Sequence, residues 1–308
     1  MNMEQDPVSD IISAAVIDRF YLATLDFSGT WGLKFDEIGG IKFTVLSKGH
    51  CCMKLGDTGE TIYLNPGDCI LMTQGSPFST LSSAKAACAN PSILKQDLSE
   101  TEAFYTNGGS DVHLQGGRFF FSDIHDAILR DLLPRFICLR AEETGASLLK
   151  PLIDRFVLEV RNARPGRTAA IHNLARMMVL EIIRFQLEKG GNHAGNILSG
   201  LSDRRIGKAV HAIHDLPGKA WTVENLALAA GMSRSNFAAR FRLLVGIGPI
   251  EYLTQWRMAL ACSSLTTTAE AISEIAYRYG YASESAFSTA FRRNLGISPR
   301  SYRERRAR

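Results

Sequence analysis

GMSRSNFAARFRLLVGIGPIEYL, Gly231 to Leu253, is followed about fifty residues later by GYASESAFSTAFRRNLGISPRSYR, Gly280 to Arg303. The two stretches say nearly the same thing. Ala227 and Gly231 stand 49 residues before Ala276 and Gly280, and Phe237, Phe241, Gly246, Pro249 and Tyr252 stand 50 before Phe287, Phe291, Gly296, Pro299 and Tyr302. Agreement at seven positions with one inserted residue after the glycine makes an internal repeat.

Each copy reads as helix, tight turn, helix. Val223–Ala230 is rich in Ala and Leu, and Ala227 is small where a second helix must cross. Gly231 permits the left-handed backbone that ends a helix, and Ser233 suits the cap of the next. Phe237 and Phe241, four apart, bury one face of that next helix and leave the residues between them outside. This is a helix-turn-helix, whose second helix can enter a major groove. A helix over Ile250–Ser263, roughly 20 Å long, joins the copies and can set two reading helices about one DNA turn, ~34 Å, apart.

Charge agrees with that reading. The chain of 308 residues carries a formal net charge of +4, but Asp203 to Arg308 holds sixteen Lys and Arg against eight Asp and Glu, which leaves residues 1–202 net negative. A basic C-terminal third suits a polyanion-binding module, although a solvated basic surface has the same composition. Hydrophobic residues at 45% and charged residues at 21% are ordinary for a folded chain, and its length is comfortable for two domains. No apolar run approaches the ~18–20 residues of a membrane span, and MNMEQDPVSD is acidic where a signal peptide is basic, so a cytoplasmic protein with no membrane partner is expected.

Residues 6–18 read as a short amphipathic helix. From Phe20 to about Ser83 short alternating runs are broken by Gly, Pro, Asn and Asp, the pattern of a small antiparallel barrel or sandwich. Residues 84–115 look like loop, with GGRFFFSD as a final strand. Helices are expected near Leu148–Arg161 and over Thr168–Glu188. In the second, Leu174, Met178, Ile182 and Phe185 form a stripe, broadened by Ile171, Val179 and Ile183, that serves core packing, dimerisation or both. Glu188–Gly200, rich in Gly, reads as a linker. The division expected is 1–135 sensor domain, 136–190 helical connector and dimerisation segment, 191–203 linker, and 204–308 DNA-binding domain.

Residues 204–308, down to the closing GISPRSYR, resemble the DNA-binding domain of the AraC/XylS family of bacterial transcription regulators. Residues from about 6 to 200, with WGLKF and LNPGDCILMTQGSPFS, resemble the cupin-type N-terminal half found in one branch of that family. The fold implied is α+β and multidomain: an N-terminal cupin-like β-barrel with flanking helices, and a C-terminal all-α domain with two helix-turn-helix motifs. The function implied is sequence-specific binding of double-stranded promoter DNA by a transcription regulator, activator or repressor. The N-terminal half would bind an unidentified small-molecule effector, form a homodimer, or both, and RNA polymerase would be a further partner.

The outward set of the first reading helix is Arg234, Ser235, Asn236, Ala238, Ala239 and Arg240. Arg and Asn can bind base edges, and the Ala methyls can meet thymine methyls; the family often has a long polar side chain where Ala239 stands. The second helix offers Glu284, Ser285, Ala286, Ser288 and Thr289. Glu284 can accept from a cytosine amino group or simply complement the helix N-terminus. Arg242, Arg292, Arg293 and Arg303 suit phosphates, which contribute affinity without sequence choice.

For the barrel, Trp31, Phe35, Phe43 and Phe78 are effector-pocket candidates or barrel core. A cupin metal is not signalled: His50 stands alone, and Phe78 occupies a place where family members frequently carry His. His211 and His214 lie at helical spacing without a third ligand and read as a surface pair. No cofactor, metal or catalytic residue is therefore expected. Two alternatives stay open, a cupin enzyme fused to a DNA-binding domain and a thiol-based redox regulator using the adjacent Cys51 and Cys52.

Overall fold

The change of period after the first helix becomes a change of architecture. The computed structural model describes residues 6–306 except 16, 37–38, 74, 100, 122–123, 125–127, 130–132, 134, 163 and 189–195. Its contacts form two units, one built from Ile17–Phe121 and Leu133–Gln186, the other from Met1–Val16, Ser122–Leu132 and Leu187–Arg308.

In the first unit the short runs are strands β1 (Ile17–Phe27), β2 (Gly32–Phe35), β3 (Ile41–Lys48), β4 (Cys51–Leu55), β5 (Thr61–Leu64), β6 (Cys69–Met72), β7 (Phe78–Leu81), β8 (Lys95–Ser99), β9 (Glu102–Thr106), β10 (Val112–Phe121) and β11 (Phe136–Leu139). They form two sheets, in the orders β11-β6-β3-β10-β1-β9-β8 and β2-β7-β4-β5. The apolar cluster includes Leu25, Phe27, Trp31, Leu33, Met53, Leu64 and Leu114. Residues 84–115 correct the expectation of loop, because β8 and β9 lie there and β9 runs parallel to β1 from Leu22 opposite Glu102 to Asp26 opposite Thr106.

Helix α2 (Thr144–Arg161) places Phe156 edge-on against Phe20, Phe43 and Phe119, with ring centroids 5.7, 5.8 and 4.8 Å away. Such contacts add to the area that an aromatic ring buries. In α3 (Arg167–Glu188) the expected stripe is largely consumed inside the chain: Ile171, Met178, Val179, Ile182, Ile183 and Phe185 are buried.

The second unit is helical: α1 (Pro7–Ala14), α4 (Ile197–Ser202), α5 (Ile206–Asp215), α6 (Val223–Ala229), α7 (Arg234–Val245), α8 (Pro249–Thr267), α9 (Ile272–Arg278), α10 (Glu284–Leu295) and α11 (Pro299–Arg306). Two departures from expectation stand out. The helix read over residues 6–18 stops at Ala14, since Asp6 caps Val8 and Pro7 opens the first turn while β1 already begins at Ile17; its contacts are with α5 and α8. The linker expected over 191–203 is in part helix α4, where Asn196 caps the Ser199 amide and Ile197 and Leu198 are buried. Residues 191–195 lie outside the described residues.

Candidate nucleic-acid interface

Both copies of the repeat have the structure their residues dictate. Helix α6 gives way to Gly231 at φ 63°, and α9 to Gly280 at φ 80°. Ser233 and Ser283 then take the cap positions of α7 and α10, and the Ser283 hydroxyl accepts from the Ala286 amide at 3.1 Å. Gly246 and Gly296, at φ 89° and 75°, end the second helices.

The anchoring rings repeat as well. Phe237, Phe241, Phe287 and Phe291 are all 0% exposed. Phe237 and Phe241 lie 5.6 Å apart, Phe287 and Phe291 5.5 Å, and each pair leans on the tyrosine of the following helix, Phe241 on Tyr252 at 6.0 Å and Phe291 on Tyr302 at 5.6 Å. Helix α8, roughly 28 Å long, packs against members of both copies and is the strut between them.

The turns differ in one respect that has a measurable consequence. A Cβ at Gly231 would meet nothing within 4 Å, whereas at Gly280 it would lie 2.3 Å from the Gly218 carbonyl oxygen and 2.7 Å from the Arg257 guanidinium. That seam is fixed, because Arg257 donates to the Pro217 and Lys219 carbonyls at 2.7 and 2.8 Å. Gly231→Ala therefore costs about 1 kcal/mol for its left-handed backbone. Gly280→Ala costs about 1–2 kcal/mol more for the clash. Denaturant midpoints of the two variants, compared at equal slope, measure the difference.

Burying the Phe pair turns the polar side outward. On α7 Arg234, Ser235, Asn236, Ala239 and Arg240 are exposed and Ala238 is half-buried; on α10 Glu284, Ser285, Ala286 and Thr289 are exposed and Ser288 is half-buried. Ser285, Ser288, Thr289, Arg292 and Arg293 line one groove together with Ser298. Sequence reasoning missed Ser298, whose hydroxyl accepts from the Ser301 amide at 3.1 Å and opens α11. The first copy has Gly248 at that place, so comparing GIGP with GISP marks the position.

The arginines divide into two groups. Arg242, Arg292 and Arg293 are exposed. The others are engaged: Arg234 pairs with Glu224 at 2.7 Å, and Arg240 donates to the Asp203 carboxylate from two nitrogens at 3.0 and 2.5 Å. Burial works to raise the Asp203 carboxyl, but the Arg240 hydrogen bond and the Ile206 and Arg205 amides outweigh it and hold it below its ordinary value. Arg303, expected at a phosphate, instead directs its guanidinium at the Glu270 carbonyl, 2.6 Å, and the Leu265 carbonyl, 3.4 Å, beside the end of α8. Nearby carbonyls without helix partners attract a cation there.

The expected surface pair of histidines is also corrected. His211 is exposed, but His214 is buried, stacked on Trp256 at 4.2 Å between rings and bonded to Asp10 and Tyr252. Among the described residues no group of three His, Cys, Asp or Glu side chains could hold a metal ion, and no helix is long and apolar enough to cross a membrane. His50 hydrogen-bonds Asn65 at 3.1 Å.

In the first unit a cavity opens between the sheets. Phe35 and Phe78 line it, stacked at 4.9 Å. Trp31 and Phe43 do not: Trp31 stacks on Phe27 in the core, and Phe43 faces Phe119 and Phe156. Alternation along β3 explains Phe43, which points away from the face that carries Lys42 and Thr44. Cys51 and Cys52 are buried in β4; burial first, and then the neighbouring Cys52, pushes the Cys51 thiol up to about 12, and burial raises Cys52. Neither is poised as a thiolate, the form in which a redox cysteine reacts.

Residues 6–188 match the family described as Cupin, and residues 226–305 match the family described as Helix-turn-helix domain. A protein of Streptomyces antibioticus described as an AraC-like transcription regulator is 33% identical over 97% of this chain and 98% of its own length. The HTH-type transcriptional regulator AlkR of Acinetobacter baylyi is 31% identical over 97% of this chain and 99% of its own. Among solved structures, the DNA-binding domain of AdpA, a global transcriptional factor determined in complex with a target DNA, is 38% identical over 33% of this chain and 92% of its own, with a TM-score of 0.32.

Proposed function

This chain belongs to the AraC-like transcription regulators, and on that premise we propose that α7 and α10 enter successive major grooves of promoter DNA while the two-sheet unit senses a small effector. The doubled helix-turn-helix carries the reading: one scaffold, built twice around a buried Phe pair, presents two different polar faces. One helix contacts too few base pairs to be specific, and two multiply the discrimination.

Ser235, Asn236, Ala238 and Ala239 of α7, and Glu284, Ser285, Ser288 and Thr289 of α10, face base edges in this reading. Arg242, Arg292 and Arg293 take phosphates. Arg240 and Arg303, already engaged by Asp203 and by two carbonyls, hold the helices in place. Effector binding shifts the population between arrangements that present the DNA-binding helices differently. The protein works in the cytoplasm as a homodimer, touches RNA polymerase when it activates, and catalyses no reaction. The working division remains 1–135, 136–190, 191–203 and 204–308, with α1 functioning alongside the last segment.

Selection of genomic fragments by the full chain, followed by competition against random duplex over a range of salt, tests this. A preferred sequence should emerge. Arg292→Ala and Arg293→Ala should weaken all duplexes alike and each lower the salt slope by about one. Thr289→Ala should alter preference at one position by about 1–3 kcal/mol. Equal affinity for selected and random duplex would remove sequence-specific regulation as the function.

A further inference from the structure

The cavity between the sheets contains two cations that no carboxylate among the described residues neutralises. Lys42 of β3 and Arg118 of β10 are direct cross-strand partners in the antiparallel ladder, and Tyr21 of β1 continues the row on the other side of Arg118. Like charges directly opposite on one sheet face repel. All three residues line the cavity. Lys42 is half-buried because its side chain faces this cavity, and its ammonium lies 3.5 Å from the centre of the Phe78 ring and 4.8 Å from that of Phe35. No carboxylate pairs with Lys42 or Arg118 among the described residues.

Two further observations converge on the same space. One Arg118 guanidinium nitrogen, Nη1, is buried without a hydrogen-bond partner, and so is the Thr80 hydroxyl on the facing sheet. Buried donors left unpaired are destabilising, and native proteins keep few of them. Most of the remaining lining is apolar and aromatic, with Leu25, Phe35, Met72, Phe78, Tyr105 and Leu114, and Thr44 and Ser76 add hydroxyls. Burial, and then the nearby Arg118, holds the Lys42 amine well below its ordinary value. An incoming anion would reverse both effects.

We propose that this cavity is the binding site of an organic carboxylate, whose anionic head meets Lys42, Arg118 and the Thr80 hydroxyl and whose apolar body lies against Phe35, Phe78 and Tyr105. This rests on the effector-sensing reading of the two-sheet unit. Carboxylate suits the site better than phosphate, because one delocalised negative charge satisfies a bidentate Arg and a Lys, while the mostly apolar and aromatic lining takes up a hydrocarbon body. Two cations held face to face, with no carboxylate partner among the described residues, are the kind of strain that binding sites retain.

The test is calorimetric titration of the full chain with phenylacetate and hexanoate, and with phenylacetamide and hexanamide, which match them in shape without the charge. Either acid should bind at least tenfold more tightly than its amide. Lys42→Met should abolish that difference, and, because it removes an unpaired charge, it should raise the melting temperature of the empty protein by roughly 2–4 °C. Lys42→Arg should keep the preference for acid, which separates lost charge from lost folding. Amide binding equal to acid binding, an unchanged preference in a folded Lys42→Met protein, or binding of neither acid overturns the proposal. Acid binding that leaves DNA affinity unmoved supports the carboxylate site while sinking its role as sensor. DNA affinity that responds to other small molecules, with neither acid binding, sinks the site and leaves the sensor reading intact.

Discussion

Phe291→Ala should lower the stability of the helical unit by about 3–5 kcal/mol, the usual loss for a fully buried ring, and should remove DNA binding with it. The ring is 0% exposed, lies 5.5 Å from Phe287 and 5.6 Å from Tyr302, and so fastens α10 to α11 as well as to its own turn. Its removal leaves a cavity that neighbouring helices, tied at Gly280 and Arg257, cannot readily close. Thr289→Ala on the opposite side of the same helix should change stability by no more than about 0.5 kcal/mol, since Thr289 is exposed. Denaturant unfolding and duplex binding, measured on both variants, separate anchor from reader. If Phe291→Ala kept full stability, or if Thr289→Ala lost as much, the buried Phe pair would not be what holds the reading helix. Phe241→Ala, the matching change in the first copy, should behave as Phe291→Ala does.

The repeat was legible because its information is local. Gly231 and Gly280 mark turns, Phe pairs four apart mark the buried side, and Pro249 and Pro299 mark the next helix start, all within about twenty residues of one another. The barrel's short strands were legible for the same reason. What failed was non-local. The segment KQDLS–TEAFYT, Lys95–Thr106, has too little alternation to stand out, and it is strand because β1 offers it an edge to pair with. Asn196–Ser202 is helical because Ile197 and Leu198 find α5 and α7 to pack on, where Gly and Asn nearby announced only a linker. Lys42 reads as the solvent face of an alternating strand, and only the second sheet turns that face into a cavity wall. The same gap let Trp31 and Phe43 pass as pocket candidates, since composition gives the aromatic character of a strand and only packing says which side encloses space.

The exposed faces of the two reading helices differ although their scaffolds agree. Residues that set the fold, Ala227 with Ala276, Phe237 with Phe287 and Tyr252 with Tyr302, are the ones repeated, while Arg234-Ser235-Asn236 stands against Glu284-Ser285-Ala286. A duplicated scaffold tolerates change only where packing is indifferent, which is on the solvent side. In the proposed function, two unlike faces on one framework read an asymmetric site, and a longer one, with no additional fold.

His214→Ala should cost about 3–5 kcal/mol by the combined loss of a stacked ring, a buried hydrogen bond to Tyr252 and a part-buried one to Asp10. The neutral imidazole donates from Nδ1 to Asp10 at 3.2 Å and accepts at Nε2 from the Tyr252 hydroxyl at 2.7 Å, a proton arrangement favoured because burial pushes the Tyr252 phenol up and keeps its proton in place. One residue thus ties α1 and α8 to α5. Burial lowers His214 below the ordinary imidazole value of 6.5 despite the opposing pull of Asp10 and Asp215, and His211 on its own helix lowers it further. Because the folded form prefers the neutral ring, the unfolded chain binds more protons once the pH drops below about 6.5. Stability from this contact is therefore full at pH 7.5 and declines on acidification. His214→Phe keeps the stacked ring without the titration, so its loss of stability between pH 7.5 and 5.5 should be smaller than that of the unaltered chain. Denaturant midpoints at the two pH values decide it: equal losses in both proteins would mean that His214 does not sense the acid, and Asp10→Asn, which removes the carboxylate that favours the charged ring, should deepen the drop.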